Sequence, residues 1–234
     1  MKYYKLKTGF TLAEVLITIG IIGVVAALTI PTLINNYQEK VLNNQFKKSY
    51  ALVNQALLNA KSQFDYIPKC YYPYNSDSSK AGSDCFQLTE KFLESLKITK
   101  ICKDKAYENG CIPEYKGIDD IIKEKHENDE DYDEEYWQDF ATRNCGGFNA
   151  SRILNEKTVY VLSDGTILFF FTNDRCIILA IDINGMKGPN KWGYDLYSLT
   201  IRSDGNRFRY EADGCFSPEE GGKTFAQRYA EVFQ

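Results

Sequence analysis

Between Phe10 and Leu33 the chain holds a single charged residue, Glu14, in a run that is otherwise apolar or small. Roughly 20 apolar residues suffice to cross about 30 Å of hydrocarbon, so this run predicts a membrane helix. The pattern then becomes one-sided. Leu33, Tyr37, Val41, Phe46, Tyr50, Val53, Leu57, Ala60 and Phe64 recur with Asn, Lys and Gln between them. Their spacing of three to five residues predicts an amphipathic helix packed on a globular domain. One helix from about Phe10 to Phe64 accounts for both halves. Gly23 and Pro31 interrupt the first half; glycine weakens a helix by about 1 kcal/mol and proline removes a backbone donor, so the stretch between them is expected to loosen more easily.

Beyond Phe64 the helical period fades. A short helix is expected in LTEKFLESLKI (residues 88–98) and another after Gly222, ending in AEVFQ. From Lys157 to Tyr210 the apolar residues cluster in short runs rich in β-branched and aromatic side chains. TVYVL and TILFFF flank Ser163, Asp164 and Gly165, and Asp-Gly is a strong two-residue hairpin signal. CIILAIDI, YDLYSLTI and RFRY complete an antiparallel meander, with a second Asp-Gly at Asp204 and Gly205. The predicted class is α+β: a long N-terminal helix whose one-sided half covers the apolar face of an antiparallel sheet. The expected organisation is an N-terminal segment of residues 1–9, an apolar helix over 10–34, its amphipathic continuation over 35–64, and a globular part over 65–234. That last part divides into a loop region (65–156) and the sheet (157–215).

Charge and cysteine content add direction to this outline. The net charge of −4 leaves no footprint for non-specific nucleic-acid binding. Lys2, Lys5 and Lys7 precede the apolar run, which keeps the start of the chain cytoplasmic and exports the remainder. All seven cysteines lie beyond that run. In an exported domain several should pair; zinc is the competing reading, but no Cys-x-x-Cys occurs and the lone histidine, His126, sits in an acidic stretch. Cys102 with Cys111, and Cys70 with Cys85, are the pairs the spacing favours. Cys176 reads as a small buried hydrophobe within CIILAI. Residues 124–139 hold nine acids against one lysine, the composition of a solvated loop rather than an ordered cation site. No nucleophile paired with a base and no phosphate-cradling glycine loop is evident, so the sequence offers no catalytic constellation.

The segment LKTGFTLAEVLITIGIIGVVAALTIP (residues 6–31) resembles the start of type IV prepilins and of the pseudopilins of type II secretion. A basic leader ends in Gly9, followed by Phe10-Thr11-Leu12, a glutamate at Glu14 and the long apolar helix, with Gly23 and Pro31 where that family commonly loosens it. The resemblance implies that a prepilin peptidase cuts between Gly9 and Phe10 and methylates the new amine of Phe10. It further implies that subunits, copies of itself or other pilins and pseudopilins, leave the bilayer through an inner-membrane assembly platform. They then pack their apolar helices into a filament, where Glu14 pairs with the Phe10 amine of a neighbour. The implied protein is a structural subunit without enzymatic activity, anchored in membrane lipid with a cytoplasmic N-terminus, serving secretion, adhesion, motility or DNA uptake.

Two competing readings stand beside this one. An ordinary secretory signal cleaved after Ala27 accounts for the basic start, but the run is long for a signal core, carries an early acid and flows into an amphipathic helix. A single-pass anchor for an exported binding protein or enzyme uses the helix only as a tether. One further loop, DINGMKGPNKWGYD (residues 182–195), concentrates Asp182, Asn184, Asn190 and Asp195. It reads either as a calcium (Ca2+) site, since hard cations take several carboxylate and carbonyl oxygens and some pseudopilins bind calcium, or as a turn closed by Asx side chains.

Overall fold

A computed structural model describes residues 9, 11–70, 84–129, 133–136, 146–172, 177–204, 208–212 and 218–234. The chain divides into two compact units, residues 1–41 and 42–234. The first helix, α1 (Leu12–Ser62), is 51 residues long and contributes to both. In the first unit its side chains are almost all exposed; in the second, Leu42, Phe46, Ser49, Val53, Ala56, Leu57 and Ala60 are buried. The buried face therefore begins at Leu42 and advances by threes and fours, as one stripe of a helix must. Leu33 and Tyr37, which the spacing assigns to that stripe, are each 69% exposed. They continue the apolar pattern of the first unit and have no core to enter.

The second unit is built on an antiparallel sheet. Its described strands are β1 (Lys69–Cys70), β2 (Ile98–Cys102), β3 (Val159–Leu162), β4 (Ile167–Thr172), β5 (Ile177–Asp182), β6 (Leu196–Asp204) and β7 (Phe208–Ala212). They run in the order β1-β6-β5-β4-β3-β2, with β7 also paired to β6. The β3–β4 hairpin turns at Asp164-Gly165, with Val161 opposite Ile167. Gly165 takes φ +90° there, which a side chain rarely adopts. A long β6 faces β5 in unbroken register, Ile177 opposite Ile201 through Asp182 opposite Leu196. Two strands, β1 and β2, come from the region expected to be loop. Both are short, which is why their pattern is too weak to detect before pairing partners are known.

With α1, helices α2 (Cys85–Glu94), α3 (Ile118–His126), α4 (Ala150–Asn155) and α5 (Phe225–Phe233) accompany the sheet. Two hydrophobic clusters fill the second unit. The first joins Phe46, Val53 and Leu57 of α1 and Leu88 and Phe92 of α2 to Leu168, Leu179, Tyr197 and Leu199 of the sheet. The second joins Val159, Ile167, Phe169 and Ala180 to Ile112, Tyr115, Ile121, Phe148, Ile153 and Trp192. Because Leu168 and Phe169 are neighbours on β4 yet belong to different clusters, both faces of the sheet are covered. Segments between Ala106 and Ile153 supply the second cover, so part of the expected loop region is core. Arg228 of α5, 1% exposed, ties the end of the chain into the first cluster: Nε donates to Tyr197 Oη at 2.9 Å and Nη1 to Asn43 Oδ1 at 2.7 Å.

Candidate functional site

The residues that begin α1 form a closed hydrogen-bonded motif. Thr11 donates from its backbone N–H and from its hydroxyl to Glu14 Oε2, both at 2.8 Å, and the Glu14 N–H donates back to Thr11 Oγ1 at 3.3 Å. This is a capping box: the first residue and the fourth satisfy each other's backbone donors at a helix start where no carbonyl is available. The signal for Thr11 is present in the sequence, as the first position of T-x-x-E, although the family resemblance draws the eye to Glu14 alone. Its effect is to consume one oxygen of Glu14 and to aim the carboxylate at the helix start. Oε1 makes no hydrogen bond among the described residues. Gly9 is exposed, and Phe10 lies outside the described residues.

Above this cap the helix is apolar on every side. Leu12, Leu16, Ile17, Ile19, Ile22, Val24 and Leu28 are each more than 60% exposed. By length and composition α1 can cross a membrane. Thr18 and Thr29 in this run turn their hydroxyls onto the helix's own carbonyls, Thr18 on Val15 O and Thr29 on Val25 O, both at 2.9 Å. That removes the cost of presenting unpaired hydroxyls to hydrocarbon. The helix continues through Gly23 and Pro31 without a break.

In the loop between β5 and β6, Asp182 and Asp195 are both fully buried. Asp182 Oδ1 accepts from the N–H of Asn184 at 3.0 Å and of Gly185 at 2.6 Å, while Oδ2 accepts from the Tyr115 hydroxyl at 2.6 Å. Asp195 accepts from the N–H of Asn190 and of Lys191, each at 2.8 Å. With its amide nitrogen turned inward, Asn190 donates to Gly185 O and Lys187 O, each at 3.0 Å. Burial, and then the nearby Asp195 charge, push the Asp182 carboxyl up to about 7 against the pull of its three donors. Burial likewise raises Asp195. Gly185, at φ +66°, sits so close to the Gly165 turn that a Cβ there would strike the Gly165 carbonyl oxygen. Trp192 anchors the far end of the loop, donating from its backbone N–H to Glu219 Oε1 at 3.0 Å and from Nε1 to Lys116 O at 2.8 Å.

The four residues suggested for calcium do meet in this loop, but they are bound to donors. Calcium takes six to eight oxygens. Here each carboxylate oxygen already accepts an N–H or O–H, and only Asn184 Oδ1 is buried without a partner. The arrangement fits an Asx-closed turn rather than a cation cage. Among the described residues, no group of three or more His, Cys, Asp or Glu side chains converges in metal-binding geometry.

The structure joins Cys70 to Cys85 and Cys102 to Cys111, with Cα atoms 4.7 and 6.5 Å apart. The first bond ties β1 to α2, and the second secures the end of β2. Cys145, Cys176 and Cys215 lie outside the described residues.

Residues 4–30 match the family model of the prokaryotic N-terminal methylation motif. No curated protein and no solved structure matches the chain. The matched residues enclose Gly9, Phe10, the Thr11–Glu14 cap and most of the exposed apolar helix. The chain therefore carries a prepilin-type N-terminal methylation motif leading into a long apolar helix and an antiparallel sheet, a layout consistent with type IV pilin-like proteins.

Proposed function

We propose that this chain is a structural subunit, pilin or pseudopilin, of an envelope filament. Prepilin peptidase cuts it between Gly9 and Phe10 and methylates the Phe10 amine. Residues 10–34 hold it in the cytoplasmic membrane, N-terminus inward, until the inner-membrane platform assembles it with copies of itself or with other pilins. A type IV pilus and a secretion pseudopilus are both filaments of this build, and adhesion, motility, DNA uptake and protein secretion are the tasks they serve.

The observation that carries this reading is the contrast within α1. Its second half is consumed by a core that closes on itself, while its first half exposes an apolar surface on all sides around one capped acid. A tether needs only the apolar surface. A charge at the centre of a bilayer costs roughly 2.5 to 3.5 kcal/mol on insertion scales, and a carboxylate oriented toward the helix start, with one oxygen unbonded among the described residues, supports a role in pairing with a neighbour's amine.

Intact-mass and N-terminal analysis of the chain from its native membrane tests the processing step. A methylated start at Phe10 is expected. An unprocessed chain, or cleavage at another bond such as after Ala27, returns the protein to the tether or secretory reading. Glu14→Ala should then be cut normally yet be depleted from filaments; full incorporation would remove the pairing role.

A further inference from the structure

Strand β2 closes one end of the sheet order, paired with β3 on one side only among the described residues. Thr99, Lys100 and Ile101 on this strand are exposed, and Ile101 is 52% so. Lysines surround it: Lys97 and Lys103 flank the strand, both exposed and without a side-chain partner among the described residues. Lys100 spends one donor on Asn109 O at 2.8 Å and keeps its charge uncompensated by any acid among the described residues. Beyond α3 the same unit carries the opposite charge. Glu127, Asp133 and Glu135 are exposed and make no ion pair among the described residues, within the 124–139 stretch of nine acids and one lysine.

We infer that the lysine-rich β2 edge of one subunit docks the exposed acids Glu127, Asp133 and Glu135 beyond α3 of a second copy of this chain. The inference rests on the filament reading above and adds to it a contact between globular parts. Two different patches meeting form a heterologous contact, which leaves one of each patch free and so propagates along an open assembly. Opposite charges raise the encounter rate and fix register, and the exposed Ile101 gives the contact an apolar centre. The alternative for these lysines is protection of an exposed strand edge against unspecific pairing. The two explanations respond differently to charge reversal, because glutamate protects an edge as well as lysine does but cannot attract an acidic neighbour.

The test is carbodiimide coupling of the full-length chain in membranes from cells expressing equal amounts of isotopically light and heavy copies. This reagent joins only amines and carboxylates already in contact. Light-to-heavy links from Lys97, Lys100 or Lys103 to Glu127, Asp133 or Glu135 are expected. The Lys97→Glu/Lys103→Glu variant, which keeps the Lys100 amine as the reporter, should lose the Lys100 links roughly tenfold, and co-expression with Asp133→Lys/Glu135→Lys, which keeps the Glu127 carboxylate, should restore them. Raising salt toward 1 M, where the Debye length shrinks to about 3 Å, should weaken the wild-type links. Links confined to single chains, links to another protein in place of a second copy, or undiminished links in the lysine variant would overturn the inference. Because the coupling is read in the membrane, a chain that starts elsewhere than Phe10 defeats the filament reading while leaving the contact itself measured.

Discussion

Burial, and then the nearby Asp195 charge, raise the Asp182 carboxyl to about 7. Linkage sets the sign of its effect on stability. The folded value of about 7 lies above the ordinary carboxylate value, so between roughly pH 4 and 7 the folded state binds a proton that the unfolded state has released. That contribution is fully present below pH 4 and is lost as pH rises through 7. Urea unfolding of residues 42–234 should therefore give lower stability at pH 8 than at pH 5, with a slope of up to about 1.4 kcal/mol per pH unit in that window. Asp182→Asn, which keeps the shape, should flatten the slope; an unchanged slope would relocate its source. The same residues bear on calcium. Millimolar calcium should release no binding heat in calorimetry and leave the melting temperature unmoved, because the loop's own donors already satisfy its carboxylates. A shift of several degrees would show that the donors yield to the ion.

Along α1 one element serves two ends, and substitutions should sort accordingly. Phe46 is 2% exposed and touches the Tyr197 and Phe225 rings at centroid distances of 5.1 and 5.2 Å. Phe46→Ala should destabilise the second unit by about 3 to 5 kcal/mol through lost burial and the cavity left behind. Ile22, 67% exposed, touches no core. Ile22→Asn should leave the unfolding of the second unit unchanged, measured on the full chain in detergent, while reducing membrane retention or filament incorporation. Equal destabilisation by both would contradict the division of the helix. Much of this was legible beforehand, since a run apolar on all sides and a stripe at intervals of three and four have different periods. The onset of the stripe was not legible, because Leu33 and Tyr37 satisfy the spacing as well as Leu42 does.

At the scale of the whole molecule, local chemistry determined the outline. The T-x-x-E cap, the apolar run and the Asp164-Gly165 turn each take their structure from neighbours in the chain, whereas the basic start, Phe10 and the Gly205 turn lie outside the described residues. The α+β layout follows from the order of these signals. The cover on the second sheet face was decided only by the tertiary structure. TILFFF and CIILAI are apolar without alternation, which signals burial on both faces, but nothing local says that Ile112, Phe148 and Trp192 provide it. The Tyr115 bond to Asp182 spans 67 residues, and no spacing rule anticipates a contact at that separation. The position of β2 at the sheet edge belongs to the same class. Its lysines are visible in the chain, yet their exposure along an unpaired edge exists only once seven strands have taken their order. Short-range hydrogen bonding and periodicity are properties of segments, whereas burial, charge repulsion and edge exposure are properties of what the segments enclose.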